Sequence, residues 1–477
     1  MEHNSPPDLT MELFRKARYN PARNMASINL KRIEELAASP KFLVILFLIA
    51  WLPRLGLAVA MNPRNPHPYD PLYEQMASNY AAGKGLVAYE KFGPHPPFEL
   101  RSFRPPMFPL AWGLLYGITG GAYMPIRVLH SFLSAFVPVI AFLLATMLFD
   151  RRSGLIAWLG CAAYPPLVWH SVHLMTEPLF ILFHTLAFYC LLTLKLADIS
   201  PAARAHHAVP LQLERGLLAG VFAGLATLSR SVLLGFAPVA TLWILLRSRE
   251  TRKNATLAVL FASGFTVVML PWWIRNYNVH GCFVASTTDG GHGFYGGNNE
   301  AALKRATGFG WPPDWKALDG VRTEVGMDKA LYAAGLRFWR ENPGVVPKLM
   351  FDRFCRLWRP MPHLRLTQVW EDGEDDALPP LTARSIIMGG VYLASFLATL
   401  PIMIYGFIIA WKRFPARRAE WVLVLLLVSY TTAIHMVFQA TIRYREPMWP
   451  LLFAFWAFAI AERMTKIEVK LVPQEKT

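Results

Sequence analysis

FLVILFLIAWLPRLGLAVAM, residues 42–61, is a run of twenty residues that carries a single charge, Arg54. A helix of that length rises about 30 Å, enough to cross the hydrocarbon core of a bilayer. Apolar runs of the same kind recur at 124–149, 153–172, 178–197, 214–233, 232–247, 255–274, 386–411, 420–440 and 447–462. The two that meet at 232–233 are hard to separate. The chain is therefore expected to be an all-α polytopic membrane protein of about ten transmembrane helices.

Composition agrees. Of 477 residues 54% are hydrophobic and only 17% charged, where a soluble protein carries about a quarter, and the mean hydropathy is +0.29. A net charge of +16 raises the question of nucleic acid. The basic residues, however, stand in short clusters between apolar runs, which is a topology signal and not a nucleic-acid patch.

Those clusters orient the chain. The segment 105–119, PPMFPLAWGLLYGIT, is apolar but short and opens on two prolines, the pattern of an interfacial helix. If it does not span, one side collects Arg15, Lys16, Arg18, Arg23, Lys31, Arg32 and Lys41 of the tail. With them fall Arg151 and Arg152, Lys195 and Arg204, the clusters 247–253 and 412–418, and the basic C-terminal tail. Every short basic loop then obeys the positive-inside rule; if 105–119 spans, several break it. Both termini are thus expected inside, with two large external segments at 62–123 and 276–385. No cleavable signal peptide is expected, since the first 40 residues are polar and basic. The domain boundaries follow: a cytoplasmic tail 1–41, a transmembrane module 42–275 that includes loop 62–123, an external region 276–385, C-terminal helices 386–462 and a cytoplasmic tail 463–477.

Cysteine is sparse. Cys161 and Cys190 lie in apolar runs as packing residues, whereas Cys282 and Cys355 share the second external segment and would be able to pair in an oxidising compartment.

Polar residues at the external ends of the spans are the candidates for chemistry. Asp70 precedes a helical pattern of Leu72, Tyr73, Met76, Ala77 and Tyr80, so its plainer role is a helix cap. Glu177, in Thr176-Glu177-Pro178, also has the look of a helix start, yet a carboxylate at that depth needs a partner. Two carboxylates on one face, with Arg101 and Arg104 nearby, suit acid/base or metal-assisted work. Arg54 and Arg230 lie deeper in the apolar runs, while Arg275, Arg443 and Arg445 sit at span ends where snorkelling suffices. The natural ligand of such an arginine is a lipid phosphate, which a guanidinium grips with two parallel hydrogen bonds. The glycine-rich stretch 286–299 matches neither a P-loop nor a dinucleotide fingerprint, and there is no His spacing for zinc and no G-x-S-x-G elbow.

Several short motifs stand in a fixed order: Tyr69-Asp70; Arg104-Pro105-Pro106 with Pro109; Tyr164-Pro165-Pro166; Thr176 to Phe180; Gly224 to Arg230; Pro271-Trp272 with Arg275-Asn276-Tyr277; Gly290-Gly291 with Tyr295 and Gly297-Asn298-Asn299; and Arg443-Tyr444-Arg445-Glu446-Pro447. In this order the sequence resembles, over about residues 42–460, the bacterial GT-C glycosyltransferases of the dolichyl-phosphate-mannose–protein mannosyltransferase and lipid A aminoarabinose transferase group. The resemblance implies a GT-C-like helical bundle with helices in its external loops, in the bacterial inner membrane, with a periplasmic active site. It implies sugar transfer, with inversion, from a polyprenyl-phosphate donor to a hydroxyl on a glycolipid, polysaccharide or protein. It places Asp70 and Glu177 in the catalytic positions and Arg104 in the basic position before the double proline. Tyr69, Arg230, Arg275, Arg443 and Arg445 are added as substrate-binding candidates. Some relatives use a divalent metal, but no ligand spacing here commits to one. The competing class is a lipid or lipid-linked glycan transporter or flippase, since intramembrane arginines also mark substrate pathways. Against it, no internal repeat is visible and the polar residues gather on one side. A non-catalytic scaffold would have no need of two carboxylates on one face.

Overall fold

The computed structural model describes residues 40–61, 70–194, 208–304, 309–360 and 383–471. Tyr69, the basic residues before Lys41, and Lys195 and Arg204 lie outside the described residues. So do the end of the C-terminal tail and most of the acidic stretch after Trp358. The chain divides into two compact units, residues 1–49 and 50–477. Of the first, only the opening of helix α1 (Pro40–Ala60) is described.

The protein is an all-α polytopic membrane protein. After α1 come α2 (Pro71–Ala81), a small hairpin, α3 (Met107–Thr119), α4 (Tyr123–Ser134), α5 (Phe136–Leu148), α6 (Arg151–Ala163), α7 (Pro165–His170), α8 (Glu177–Leu192), α9 (Ala208–Ser229), α10 (Phe236–Leu246) and α11 (Thr251–His280). The hairpin pairs β1 (Ala88–Glu90) with β2 (Phe98–Leu100), Ala88 facing Leu100. The second large loop folds into α12 (Gly290–Gly297), α13 (Glu300–Lys304), α14 (Glu324–Glu341) and α15 (Val346–Trp358). The chain ends with α16 (Ala383–Arg413), α17 (Arg418–Val437) and α18 (Trp449–Leu471).

Among the described residues, five helical stretches are long and apolar enough to cross a membrane: Pro40–Ala60, Tyr123–Leu148, Thr251–His280, Ile386–Arg413 and Pro415–Val437. Length and apolarity therefore support five of the ten expected spans. Three of the other five runs hold helices that are broken or short, while α9 and α18, at 22 and 23 residues, are long enough but not apolar enough. The run 153–172 is cut at Tyr164, which is extended because Pro165 follows it. The run 214–233 ends at Ser229, with Arg230 in an extended conformation (φ −151°, ψ 122°) before a single 3-10 turn. The runs 178–197 and 232–247 hold the shorter apolar helices Glu177–Leu192 and Ser231–Leu246. As expected, 105–119 carries only a short helix; α3 has 13 residues, too few to span.

Small residues let the helices approach to backbone contact. A Cβ on Gly220 of α9 would lie 2.0 Å from the Phe261 carbonyl of α11, and one on Gly264 would lie 2.3 Å from the Leu217 carbonyl. Gly406 of α16 meets the Phe455 carbonyl of α18 in the same way, at 2.0 Å. In lipid, where apolar side chains gain little by leaving one apolar medium for another, such close packing is what joins helices.

Candidate active site

Asp70 caps α2, as the pattern after it predicts. Its backbone is extended, Pro71 takes the first helical position, and its Oδ1 accepts the Leu72 N–H at 3.0 Å. The cap is half of its role. Oδ2 accepts from Arg104 Nη2 at 2.5 Å, and the other terminal nitrogen of Arg104 donates to Asp289 Oδ2 at 3.3 Å. One guanidinium thus joins two carboxylates brought from loops 219 residues apart (289 − 70). Phe103 and Tyr73 support its face, their ring centroids 4.9 and 5.9 Å from the guanidinium carbon. Burial works against the Arg104 charge, but Asp70, Tyr73 and Asp289 outweigh it and raise its pKa. Burial, then the two aspartates, raise the Tyr73 phenol against the pull of Arg104 and Arg230.

Glu177 is held by a different pair. It is 1% exposed at the start of α8, and its Oε1 accepts from Arg230 Nη1 at 2.6 Å, with Arg443 Nε 3.6 Å away. The break in the chain at Arg230 is what frees that side chain to reach Glu177. The ring of Tyr444 packs against both guanidinium groups, at 4.8 and 5.1 Å. The two halves adjoin. Thr287 donates to Asp289 Oδ1 at 2.5 Å, and its oxygen lies 2.9 Å from the hydroxyl of Ser231, the neighbour of Arg230. The expected carboxylates therefore share one site without touching: Asp70 belongs to an Asp–Arg–Asp row and Glu177 to an Arg–Glu–Arg cluster.

A third carboxylate braces the first row. Glu324, at the start of α14, accepts the Arg101 and Ser102 N–H groups at 2.8 and 2.9 Å, and the Thr288 hydroxyl. It thereby ties the strand that leads to Arg104 to the residue before Asp289, and the Thr288 N–H donates to the Ser102 carbonyl at 3.0 Å. Burial raises its pKa, while the hydrogen bonds from Thr288 and the two backbone groups pull it down.

The remaining candidates separate cleanly. Arg275 donates to Ser102 Oγ at 2.6 Å and to Asn276 Oδ1 at 3.1 Å, so it supports the brace behind Arg104. Arg445 is 1% exposed and donates to the carbonyls of Leu357 and Arg359 at 2.9 and 2.6 Å; it holds α15 and does not reach the site. Arg54 is buried in its own helix, donating to the Ala50 carbonyl at 2.8 Å. Cys282 and Cys355 both stand free. Sequence reasoning missed Asp289, Tyr73 and Tyr444 as members of the site. Asp289 lies inside the glycine-rich stretch singled out for a different reason, and a lone acid among glycines there is the signal that was available. His292, three residues on, packs among Phe92, Phe103, Trp311 and Trp315. Burial, then Arg104, hold its pKa down at about 3, so it is a neutral packing group.

Among the described residues, no group of three or more His, Cys, Asp or Glu side chains is arranged to hold a metal ion. Asp70 and Asp289 both accept from Arg104, which lies between them. Among the described residues this donor set does not fit a metal ion.

Residues 111–280 match the family model described as dolichyl-phosphate-mannose-protein mannosyltransferase. The matched segment holds Glu177, Arg230 and Arg275, while Asp70, Arg104, Asp289 and Arg443 lie outside it. No curated protein matches the sequence. Among solved structures, the apo oligosaccharyltransferase of Archaeoglobus fulgidus matches with a TM-score of 0.53 at 14% identity, over 91% of this chain and 52% of that one. The oligosaccharyltransferase AglB of the same organism, in complex with an inhibitory peptide and a dolichol-phosphate, matches with a TM-score of 0.51 at 13% identity, over the same shares of the two chains. The fold is the GT-C glycosyltransferase fold. A weaker likeness, TM-score 0.41 at 13% identity over 92% of this chain and 82% of that one, is to ArnT from Cupriavidus metallidurans bound to undecaprenyl phosphate. The chain spans about half the length of the oligosaccharyltransferases it resembles, so the likeness gives the GT-C architecture and not their activity.

Proposed function

We propose that this protein is a membrane glycosyltransferase that moves a sugar from a polyprenyl-phosphate donor to a hydroxyl acceptor, with inversion, on the periplasmic face of a bacterial inner membrane. The observation that carries the proposal is the pairing of two unlike half-sites. A carboxylate-rich row, Asp70–Arg104–Asp289, adjoins an arginine-rich cluster, Arg230–Glu177–Arg443.

The chemistry divides between them. As the acceptor oxygen bonds to the anomeric carbon, the bond from that carbon to the phosphate oxygen breaks and its electron pair leaves with the lipid phosphate. The hydroxyl proton passes to Asp70, whose side chain is 11% exposed and held in place by the cap and by Arg104. A positioned general base of this kind contributes about 10²–10⁴-fold. Negative charge grows on the departing phosphate, and Arg230 and Arg443 meet it in a partly dry site, where fixed charges act more strongly than in water. Glu177 lies beneath those arginines, buried and already engaged. That place suits a carboxylate that orients the two cations, and we assign it this role instead of proton transfer. A single attack opposite the leaving phosphate gives inversion.

The test uses purified full-length protein in liposomes carrying a polyprenyl-phosphate sugar, with a candidate acceptor supplied. The proposal expects free polyprenyl phosphate to appear together with glycosylated acceptor. Movement of the lipid across the bilayer, with the donor intact, would make the protein a transporter.

A further inference from the structure

Helix α15 is built inside out for a helix in water. Its inward face presents Leu349, Arg353 and Leu357, and its outward face presents Pro347, Phe351, Phe354 and Cys355 at helical spacing. Phe351 is 62% exposed and Phe354 39%, while Arg353 is 2% exposed. In aqueous surroundings the two kinds of residue would trade places, because arginine is seldom buried and large apolar groups seldom gather in the open.

The arginine has a reason to point inward. Arg353 donates to the Met436 and Val437 carbonyls at 2.9 and 3.0 Å, and to the Gly297 carbonyl. Met436 and Val437 are the last residues of α17, one of the helices long and apolar enough to span, and carbonyls at a helix end have no partner within the helix. Trp358, at the other end of α15, donates to Thr432 Oγ1 of α17 at 3.3 Å, more than a turn inside that helix. α15 is thus pinned at the level where a membrane span ends, with its phenylalanines turned away from the protein. Lys348 is exposed beside them, and Arg356 lies on the flank.

We infer that α15 is a membrane-surface helix that seats Phe351 and Phe354 in the acyl–headgroup boundary of the leaflet on the site's side, with its basic residues toward anionic headgroups. The occupant is lipid because the apolar face lies beside a span end and its flanks carry two cations, Lys348 and Arg356, against one anion, Asp352, a balance that favours an anionic bilayer surface. The helix also reaches the site. Leu357 packs with Ala440 and Tyr444, and Tyr444 lies against both Arg230 and Arg443. Arg445 closes the same joint through the Leu357 and Arg359 carbonyls. A helix anchored in the leaflet therefore sets the height of the arginine cluster relative to the lipid surface.

Cys355 on the outward face gives a direct probe that does not depend on any enzymatic activity. Full-length Cys282→Ser protein, labelled at Cys355 with a polarity-sensitive fluorophore, is placed in vesicles of phosphatidylethanolamine and phosphatidylglycerol. Expected are blue-shifted emission, strong quenching by lipids with a shallow acyl-chain nitroxide, and little quenching by aqueous iodide. In Phe351→Ser/Phe354→Ser protein the label is expected to shift red and to become open to iodide. Water-like emission without lipid quenching in the parent protein would overturn the inference whether or not the double variant folds. So would a Cys355–Cys355 crosslink in its place, which would assign the face to a second copy. Unchanged lipid quenching in a folded double variant would show that the phenylalanines do not seat the helix, and would overturn it as well.

Discussion

Arg104 donates to two carboxylates at once, and that geometry separates arginine from lysine. A guanidinium offers a fixed fork, whereas an ammonium is a point charge. Arg104→Lys is expected to keep the contact to Asp70 at 2.5 Å and lose the one to Asp289 at 3.3 Å. Loss of one charge-assisted hydrogen bond, worth about 1.5–3 kcal/mol, corresponds to roughly a tenfold to hundredfold fall in sugar transfer if it is felt fully in the transition state. Full transfer by Arg104→Lys would show that the Asp–Arg–Asp row is not needed. Glu177 faces the opposite problem. It is buried against two arginines, and Glu177→Gln removes the carboxylate charge that both face. Removing one partner of a buried pair typically destabilises by about 3–5 kcal/mol. A clear drop in melting temperature in detergent is expected, together with weaker binding of a lipid phosphate; an unchanged melt would contradict the buried pairing. Part of this was legible in the sequence: Asp70 and Arg104 in the first external loop, Glu177 and Arg443 at span ends, and Arg230 deeper in an apolar run. Position along the spans does not sort Arg230 and Arg443 from Arg275 and Arg445: Arg230 lies deeper in an apolar run, but Arg443 sits at a span end as Arg275 and Arg445 do. Only packing sorts the first two to the site and the others to hydroxyl and carbonyl partners behind it.

At the scale of elements, apolar runs and helix starts were readable because their signals are local. The Asp70 cap and the short α3 follow from neighbouring residues, whereas the break before Pro165 cuts a run, 153–172, that the sequence presents as one span. The second loop was not readable in this way. Its contribution, Asp289, depends on Glu324 and Asp328 from α14 closing on a glycine-rich turn, a long-range event with no periodic signal. Asp328 Oδ1 accepts the Gly291 N–H at 2.6 Å, and a side chain at Gly291 would collide with the Asp328 carbonyl at 2.1 Å. Burial raises the Asp328 carboxyl to about 6, with Asp289 and Glu324 adding to the shift. For an acid whose pKa is raised on folding, the folded chain holds the proton more tightly, so stability falls as pH rises from the ordinary carboxyl value of about 4 toward 6 and is level above that. Asp328→Asn removes this dependence while keeping an acceptor for Gly291. Melting curves from pH 4 to 7 are expected to show the wild type losing ground to the variant across that window. Parallel curves would contradict the assigned shift.

For the whole molecule, the GT-C fold accounts for how two distant loops meet over one end of a helical bundle. The ordered motifs carried that fold into the sequence; the apolar runs alone gave only the membrane class. The proposed orientation requires that α3 does not span the membrane. A periplasmic-active reporter fused after Gly120, just past the last residue of α3, is expected to be active, whereas a cytoplasmic signal there would reverse the following loops and place the site on the opposite face.

The central claim is that the end of the bundle bearing Asp70 transfers sugar, and Asp70→Asn tests it most directly. Asparagine can keep the cap to Leu72 and one contact to Arg104, so the protein should fold, but it is a poor proton acceptor. In membranes supplied with a polyprenyl-phosphate sugar, initial transfer is expected to fall by about 10²–10⁴-fold with donor binding retained. Transfer at the wild-type rate by folded Asp70→Asn protein would contradict the assignment of Asp70 as the base.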